Sequence, residues 1–197
     1  MALKNFEGNT FVAFIDISGF TAMMREGRGE RAVQALDTFY AAGYRALNNQ
    51  QNQVRVDGLF VSDCGILFAR LEKNKNTRQG FESLLKSLRL IHEECFRRVV
   101  SLTSSVAWGG FSYHNRVDFP GIEKNPFLGN AYVEAFKDNN GGTPKMYPNE
   151  CRIINEGLPE EIVNCCNERV YDAQQRIDGD MRFTPKHFYY EWMRRLQ

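Results

Sequence analysis

The sequence predicts an α+β fold of the ferredoxin-like, split βαβ kind: an antiparallel sheet with helices on one face. Three observations predict it. Segments with strand-like and helix-like apolar patterning follow in the order β-α-β-β-α-β, before a further helix and strands. The chain has 197 residues, which suits one core, and no linker or internal repeat divides it, so residues 1–197 read as a single domain. Composition is that of an ordinary globular protein, with 25 basic and 24 acidic residues.

The first strand is the apolar run Phe11–Ile15, short and rich in β-formers, as expected of a strand buried on both faces. A helix spans about Gly29–Asn49 on the stripe Val33, Leu36, Phe39/Tyr40, Tyr44 and Leu47. The polar loop "NNQQNQ" leads to two strands, Val54–Phe60 and Gly65–Arg70, with Ser62-Asp63 at the turn of a hairpin. After the charged loop "EKNKNTRQG", the spacing of Phe81, Leu84/Leu85, Leu88, Ile91, Cys95, Val99 and Leu102 predicts a long helix over Phe81–Leu102. "SSVAWGGFSYHN" reads as a strand whose glycine pair marks a bulge, or the close approach of another backbone or ligand. "RVDFPGIEKNPFLG" is expected to be a loop, Gly129–Lys137 a short helix and "NNGGTPKMYP" a second loop. A strand beginning at "CRII", a helix from about Pro159 and an aromatic-rich strand over Arg182–Trp192 complete the chain.

A formal charge of +1 gives no global footprint for nucleic acid or an acidic membrane, and "MRRLQ" reads as solvated helix surface. No secretory signal pattern appears, and no apolar run approaches the ~20 residues of a membrane helix. The expectation is a cytoplasmic protein with no nucleic-acid and no membrane partner. Cys64, Cys95, Cys151, Cys165 and Cys166 lack a CxxC metal spacing and read as reduced thiols. His92, His114 and His187 are far apart in sequence and point to no zinc site or nucleophilic triad.

Chemistry concentrates on two carboxylates. Asp16 ends the first strand, and Asp63 sits in the turn of the hairpin whose strand neighbours it in this topology. Two carboxylates side by side repel unless a cation lies between them. With a backbone carbonyl and phosphate oxygens they make a hard-oxygen set for Mg²⁺ or Mn²⁺, and two such ions can clamp the attacking and leaving oxygens of an in-line displacement. The residues that follow, "ISGFT", turn from strand towards helix and offer backbone N–H groups to phosphate, with Gly19 allowing close approach. A blander reading also fits: Asp16 caps the helix after it and Asp63 merely forms a turn.

The motifs resemble those of class III nucleotidyl cyclases. "FIDISGFT" is similar to their first signature, "VSDCGILFA" to their second metal motif with Ser62 in place of the usual glycine, and "FLGNAYVEAFK" to their Gly-Asn helix. The resemblance covers about Phe11 to Ile154. It implies that Asp16 and Asp63 bind two Mn²⁺ or Mg²⁺ ions, that the carbonyl of Ile17 touches metal, and that the backbone of Gly19, Phe20 and Thr21 holds phosphates. It implies the reaction too: the 3′ hydroxyl of a nucleoside triphosphate attacks its own α-phosphate, giving a 3′,5′-cyclic monophosphate and pyrophosphate. Active sites in this family form between subunits, which implies a homodimer.

The sequence also departs from the family pattern. Leu59 stands where a purine-reading lysine is usual, and Pro126 near the base-reading aspartate. Val133 takes the asparagine's place, Lys137 that of the transition-state arginine, and Trp108 roughly that of a phosphate-touching strand arginine. Lys137 reads equally as a point charge for phosphate or as an exposed helix-end lysine. Lost purine determinants beside retained metal carboxylates resemble the bacterial Pycsar pyrimidine cyclases, which make cUMP or cCMP in anti-phage defence for a separate effector to read; of the two, the resemblance points to a uridylate cyclase making cUMP. Leu59, Phe60, Trp108 and Tyr44 are candidates for narrowing the base site, although Tyr44 sits on the core stripe of its helix and Phe60 is also a core candidate. Arg55, Arg116 and Tyr132 are open as readers of the base edge. The competing expectations are an adenylate or guanylate cyclase with another purine reader, and a catalytically dead nucleotide-binding dimerisation module.

Overall fold

The computed structural model describes residues 3–48, 53–71, 76–119, 122–124, 126–175 and 186–195. The centre of the sheet is β1 (Phe6–Ile17), longer than the apolar run at both ends. It pairs antiparallel with β3 (Cys64–Ala69) on one side and with β4 (Leu102–Tyr113) on the other. Having neighbours on both edges and packing on both faces, it tolerates no exposed side chain from Phe11 to Ile15. This is why the run is apolar without alternation.

β2 (Val56–Val61) closes the hairpin with β3 at the sheet edge, giving the order β2-β3-β1-β4 of a split βαβ unit. The sheet continues through β8 (Cys151–Ile154), β10 (His187–Tyr190) and β9 (Ala173–Gln175). It is a mixed sheet, because β8 runs parallel to β4. The long connection between them allows this. Within the expected loop after β4 lie a short hairpin, β5 (Arg116–Phe119) with β6 (Ile122–Lys124), and β7 (Phe127–Leu128), which pairs with the end of β4.

Alternate residues of β1 serve two cores. Phe11, Ala13 and Ile15 face the larger one, under α2 (Gly29–Asn48), α3 (Thr77–Arg97) and α5 (Glu160–Asn167). Val12 and Phe14 face a smaller one, closed by α4 (Asn130–Gly141) through Ala131 and Ala135. The helices of the split βαβ unit share one face as expected, and α4, which follows that unit, covers part of the other.

Three helical expectations change. The buried face of α2 is Ala32, Ala35, Phe39, Ala42, Gly43 and Ala46, whereas Val33, Tyr40 and Tyr44 of the predicted stripe are exposed. Small residues win because α2 lies close on its neighbours: a Cβ on Gly43 would stand 2.3 Å from the Phe60 ring. Helix α3 begins a turn earlier than expected, where Asn76 accepts a hydrogen bond from the Arg78 N–H at 2.8 Å. It also stops before Leu102, because Val99 is left-handed (φ 59°) and Leu102 opens β4. Residues 49–52, 72–75 and 182–185, within the two expected loops and the start of the expected last strand, lie outside the described residues.

The glycine pair of β4 makes no bulge, since its register with β1 is continuous across Gly109 and Gly110. The glycines instead admit the start of α4. A Cβ on Gly109 would meet the Asn130 amide oxygen at 2.6 Å, and a Cβ on Gly129 would meet the Gly110 carbonyl oxygen at 2.1 Å.

Candidate active site

The end of β1 is fixed from both sides. Asp16 is opposite Cys64 of β3 and Thr103 of β4. The Ile17 N–H donates to the Asp63 carbonyl and the Ser18 N–H to the Ser101 carbonyl, each at 2.9 Å. The two-residue turn Ser62-Asp63 needs a left-handed first residue, and Ser62 adopts it at φ 54°. Ladder and turn together bring Asp63 beside Asp16, as the topology predicts. Asp16 is no helix cap: the short helix α1 (Phe20–Arg25) starts after Gly19, which is left-handed at φ 78°, and no side chain caps it. The first N–H groups of α1 therefore have no partner within the helix.

Burial, and then the charge of Asp63, push the Asp16 carboxyl up to about 7. The Cys64 thiol is also raised, by burial and then by Asp63 and Asp16, so three acidic groups crowd one spot. Among the described residues neither carboxylate has a cationic or hydrogen-bond partner, and no group of three His, Cys, Asp or Glu side chains forms a complete metal cage. A pair of unneutralised carboxylates beside the Ile17 backbone fits a hard divalent cation that takes its remaining ligands from phosphate.

Asp16 is shared by two clefts. The first, about 510 Å³, is lined by Asp16, Ile17, Asp63 and the α1 residues Phe20, Thr21 and Arg25. The second, about 600 Å³, lies on the other side, between Ser18, Gly19, Thr103 and the end of α4 with its following loop, including Asn139 and Lys145.

The first cleft thus gathers Asp16, Asp63, Ile17, Gly19, Phe20 and Thr21. Leu59 lies on the sheet face that Asp16 also uses, packed against the smaller core that includes Phe14 and Ile66. Two other candidates fall elsewhere. Trp108 is opposite Phe11, stacks on it at 4.5 Å and faces the α3 core, so it is not brought to Asp16; the β4 residue beside Asp16 is Thr103. Tyr44 is 69% exposed on the outside of α2, neither packed in the core nor lining either cleft. Phe60 packs on Phe39 and Tyr40, facing the core. Lys137 projects from α4, 66% exposed and 3.5 Å from Glu134. Arg55 is engaged with Asp57, whereas Tyr132 rests on Phe127 beside the smaller core.

Sequence reasoning missed Arg25, Asn139 and Lys145. Arg25 follows Thr21 by one helical turn, a spacing that could have flagged it. Asn139 and Lys145 give no local signal; a buried polar cluster brings them in. Arg152, with 0% of its side chain exposed, pairs with Asp138 at 3.4 Å and donates to the Pro144 carbonyl. Ser105 and His187 also bond Asp138, the latter at 2.9 Å. Burial opposes the Asp138 charge, but His187, Ser105 and Arg152 outweigh it and hold the carboxyl below its ordinary range. The end of α4 and the loop after it are pinned to β4, β8 and β10.

No family model and no curated protein matches the sequence. The fold does have relatives among solved structures. The adenylyl cyclase CyaB from P. aeruginosa superposes with a TM-score of 0.63 over 95% of each chain, at 14% identity. This is the fold of a class III nucleotidyl cyclase catalytic domain. The guanylate cyclase domain of RhGC from Catenaria anguillulae, in complex with GTP, shares that cyclase fold with a TM-score of 0.61 at 10% identity, over 95% of this chain and 97% of that one. The non-canonical dimeric guanylyl cyclase domain of the RhoGC fusion protein from the aquatic fungus Blastocladiella emersonii scores 0.62 at 8% identity, over 95% and 96%. Among the described residues, no helix of this cyclase-fold chain is long and apolar enough to cross a membrane.

Proposed function

We propose that the protein is a homodimeric pyrimidine nucleotidyl cyclase, converting UTP, or CTP, to its 3′,5′-cyclic monophosphate and pyrophosphate. The cyclic product would serve a separate effector in bacterial anti-phage defence, in the cytoplasm. One observation carries the reading: on a cyclase fold, two carboxylates with no partner among the described residues, Asp16 and Asp63, meet at the end of the central strand.

Asp16, Asp63 and the Ile17 carbonyl would hold two Mn²⁺ or Mg²⁺ ions. Such ions supply charge neutralisation at the phosphates and activation of the attacking hydroxyl. The chain's own groups do the rest. The N–H groups of α1 after Gly19 receive phosphate oxygens, and Arg25 offers a guanidinium at the wall of that cleft. The 3′ oxygen attacks the α-phosphorus, the bond to the bridging oxygen breaks, pyrophosphate leaves with the electron pair, and the hydroxyl proton passes to water. Lys137, exposed on α4 beside Glu134, would supply its charge to a partner protomer's site. Leu59, where the family pattern has a purine-reading lysine, offers no hydrogen bond to a purine edge, so that purine determinant is lost.

The test incubates the purified protein with Mn²⁺ and each of the four nucleoside triphosphates. Cyclic product from UTP or CTP is expected, and Asp16→Ala or Asp63→Ala should abolish it. Product from ATP or GTP alone would refute the pyrimidine reading and support the second one, a purine cyclase, which the names of the solved relatives favour. No product from any triphosphate would leave a nucleotide-binding module.

A further inference from the structure

The second cleft beside Asp16 holds more unused hydrogen-bonding capacity than its neighbourhood explains. The Ser18 hydroxyl oxygen and the Asn139 amide nitrogen are both shielded from solvent, and among the described residues neither has a hydrogen-bond partner. Both line this cleft. A buried donor left unsatisfied is costly, so two beside one cleft call for a ligand. The Asn139 side chain at this cleft is already held, because its amide oxygen accepts from the Thr103 hydroxyl at 3.2 Å.

The same cleft is lined by Lys145, an exposed cation with no ion-pair partner among the described residues. The nearby cation Arg152 is committed to Asp138 and the Pro144 carbonyl. That second bond anchors the backbone one residue before Lys145. Asp16 lines the cleft as well. One cation, two neutral donors and a carboxylate suited to metal suit a group with many acceptor oxygens and high negative charge. A phosphate chain meets that description.

We propose that Lys145, Asn139 and Ser18 form a phosphate subsite in the same chain as Asp16, which holds the pyrophosphate portion of the substrate. This rests on Asp16 and Asp63 being the reacting centre. Lys145 then supplies, in cis, positive charge to the bridging oxygen that receives the electron pair when the α-phosphorus bond breaks. The strand position beside Asp16, Thr103, is neutral and cannot do so.

Steady-state cyclisation is measured on the full chain with Mn²⁺ and its best triphosphate. Lys145→Ala should lower kcat on the order of 10²-fold, as for loss of one donor to a developing oxyanion. It should also weaken inhibition by added pyrophosphate at least about tenfold, and Lys145→Arg should restore most of both. Mixed dimers of Lys145→Ala with Asp63→Ala should stay inactive, because every site then lacks one of two groups supplied by the same chain. Wild-type activity in Lys145→Ala, or activity regained on mixing, would overturn the proposal and leave the cyclase reading standing. If the unmodified protein cyclises no triphosphate, the cyclase reading fails first. Calorimetry with Mn²⁺ and pyrophosphate then decides the subsite: tenfold weaker binding by Lys145→Ala supports it, and equal binding overturns it.

Discussion

Replacing Asp16 by Asn should stabilise the metal-free protein at alkaline pH. The carboxyl rises from an ordinary 3.8 to about 7 in the fold, first because it is buried and then because Asp63 is close. A group bound to its proton more tightly in the folded state loses folding stability as pH rises, from the unfolded value to the folded one. The penalty therefore grows between about pH 4 and pH 7 and is complete above that. Three pKa steps at about 1.4 kcal/mol each set a ceiling of about 4 kcal/mol. The carboxyl borders two open clefts, and solvent screening brings the expectation to about 2 kcal/mol. Urea denaturation in chelator at pH 4 and pH 8 measures it. Unmodified protein should lose stability between the two, relative to Asp16→Asn, and millimolar Mn²⁺ at pH 8 should restore it only where Asp16 is intact. Asp63→Asn should recover the smaller part of the penalty, since burial comes first. An Asp16→Asn protein no more stable than the parent at pH 8 in chelator would refute the electrostatic account of this site.

Other outcomes follow from single contacts. Gly129→Ala should cost about 3 kcal/mol or more, because its Cβ would meet the Gly110 carbonyl oxygen at 2.1 Å and backbone cannot step aside; thermal melting reads this. Val99→Gly should stabilise by about 1 kcal/mol, since Val99 is left-handed and 80% exposed, with strain to lose and little packing; a raised denaturation midpoint is the check. Burial holds His92 neutral, with its pKa lowered to about 3. Stability should be intact above about pH 6.5 and fall by about 1.4 kcal/mol per unit below it, a slope that His92→Gln should reduce in acid unfolding followed by Trp192 fluorescence.

The split βαβ order, the hairpin and the meeting of Asp16 with Asp63 are legible in sequence because they depend on local period and topology. A continuous apolar run means a doubly covered strand, and a two-residue turn fixes hairpin register. The buried face of α2 is not legible. Residue hydrophobicity favours Val33 and Tyr44, while the fold buries the alanines of α2 and, where Phe60 needs the room, Gly43. Nor is the end of α3, where the apolar spacing continues past a valine that turns left-handed.

The sequence by itself determined the carboxylate pair, since both residues sit at ends and turns that strand pairing must align. Tertiary structure alone decided what else faces that pair. It sent Trp108 to the far side of the sheet, because alternation gives each β4 residue one face and Trp108 shares that of Phe11. It brought Asn139 and Lys145 to Asp16 through Arg152 and Asp138, a buried ion pair joining segments distant in sequence, which no local pattern encodes.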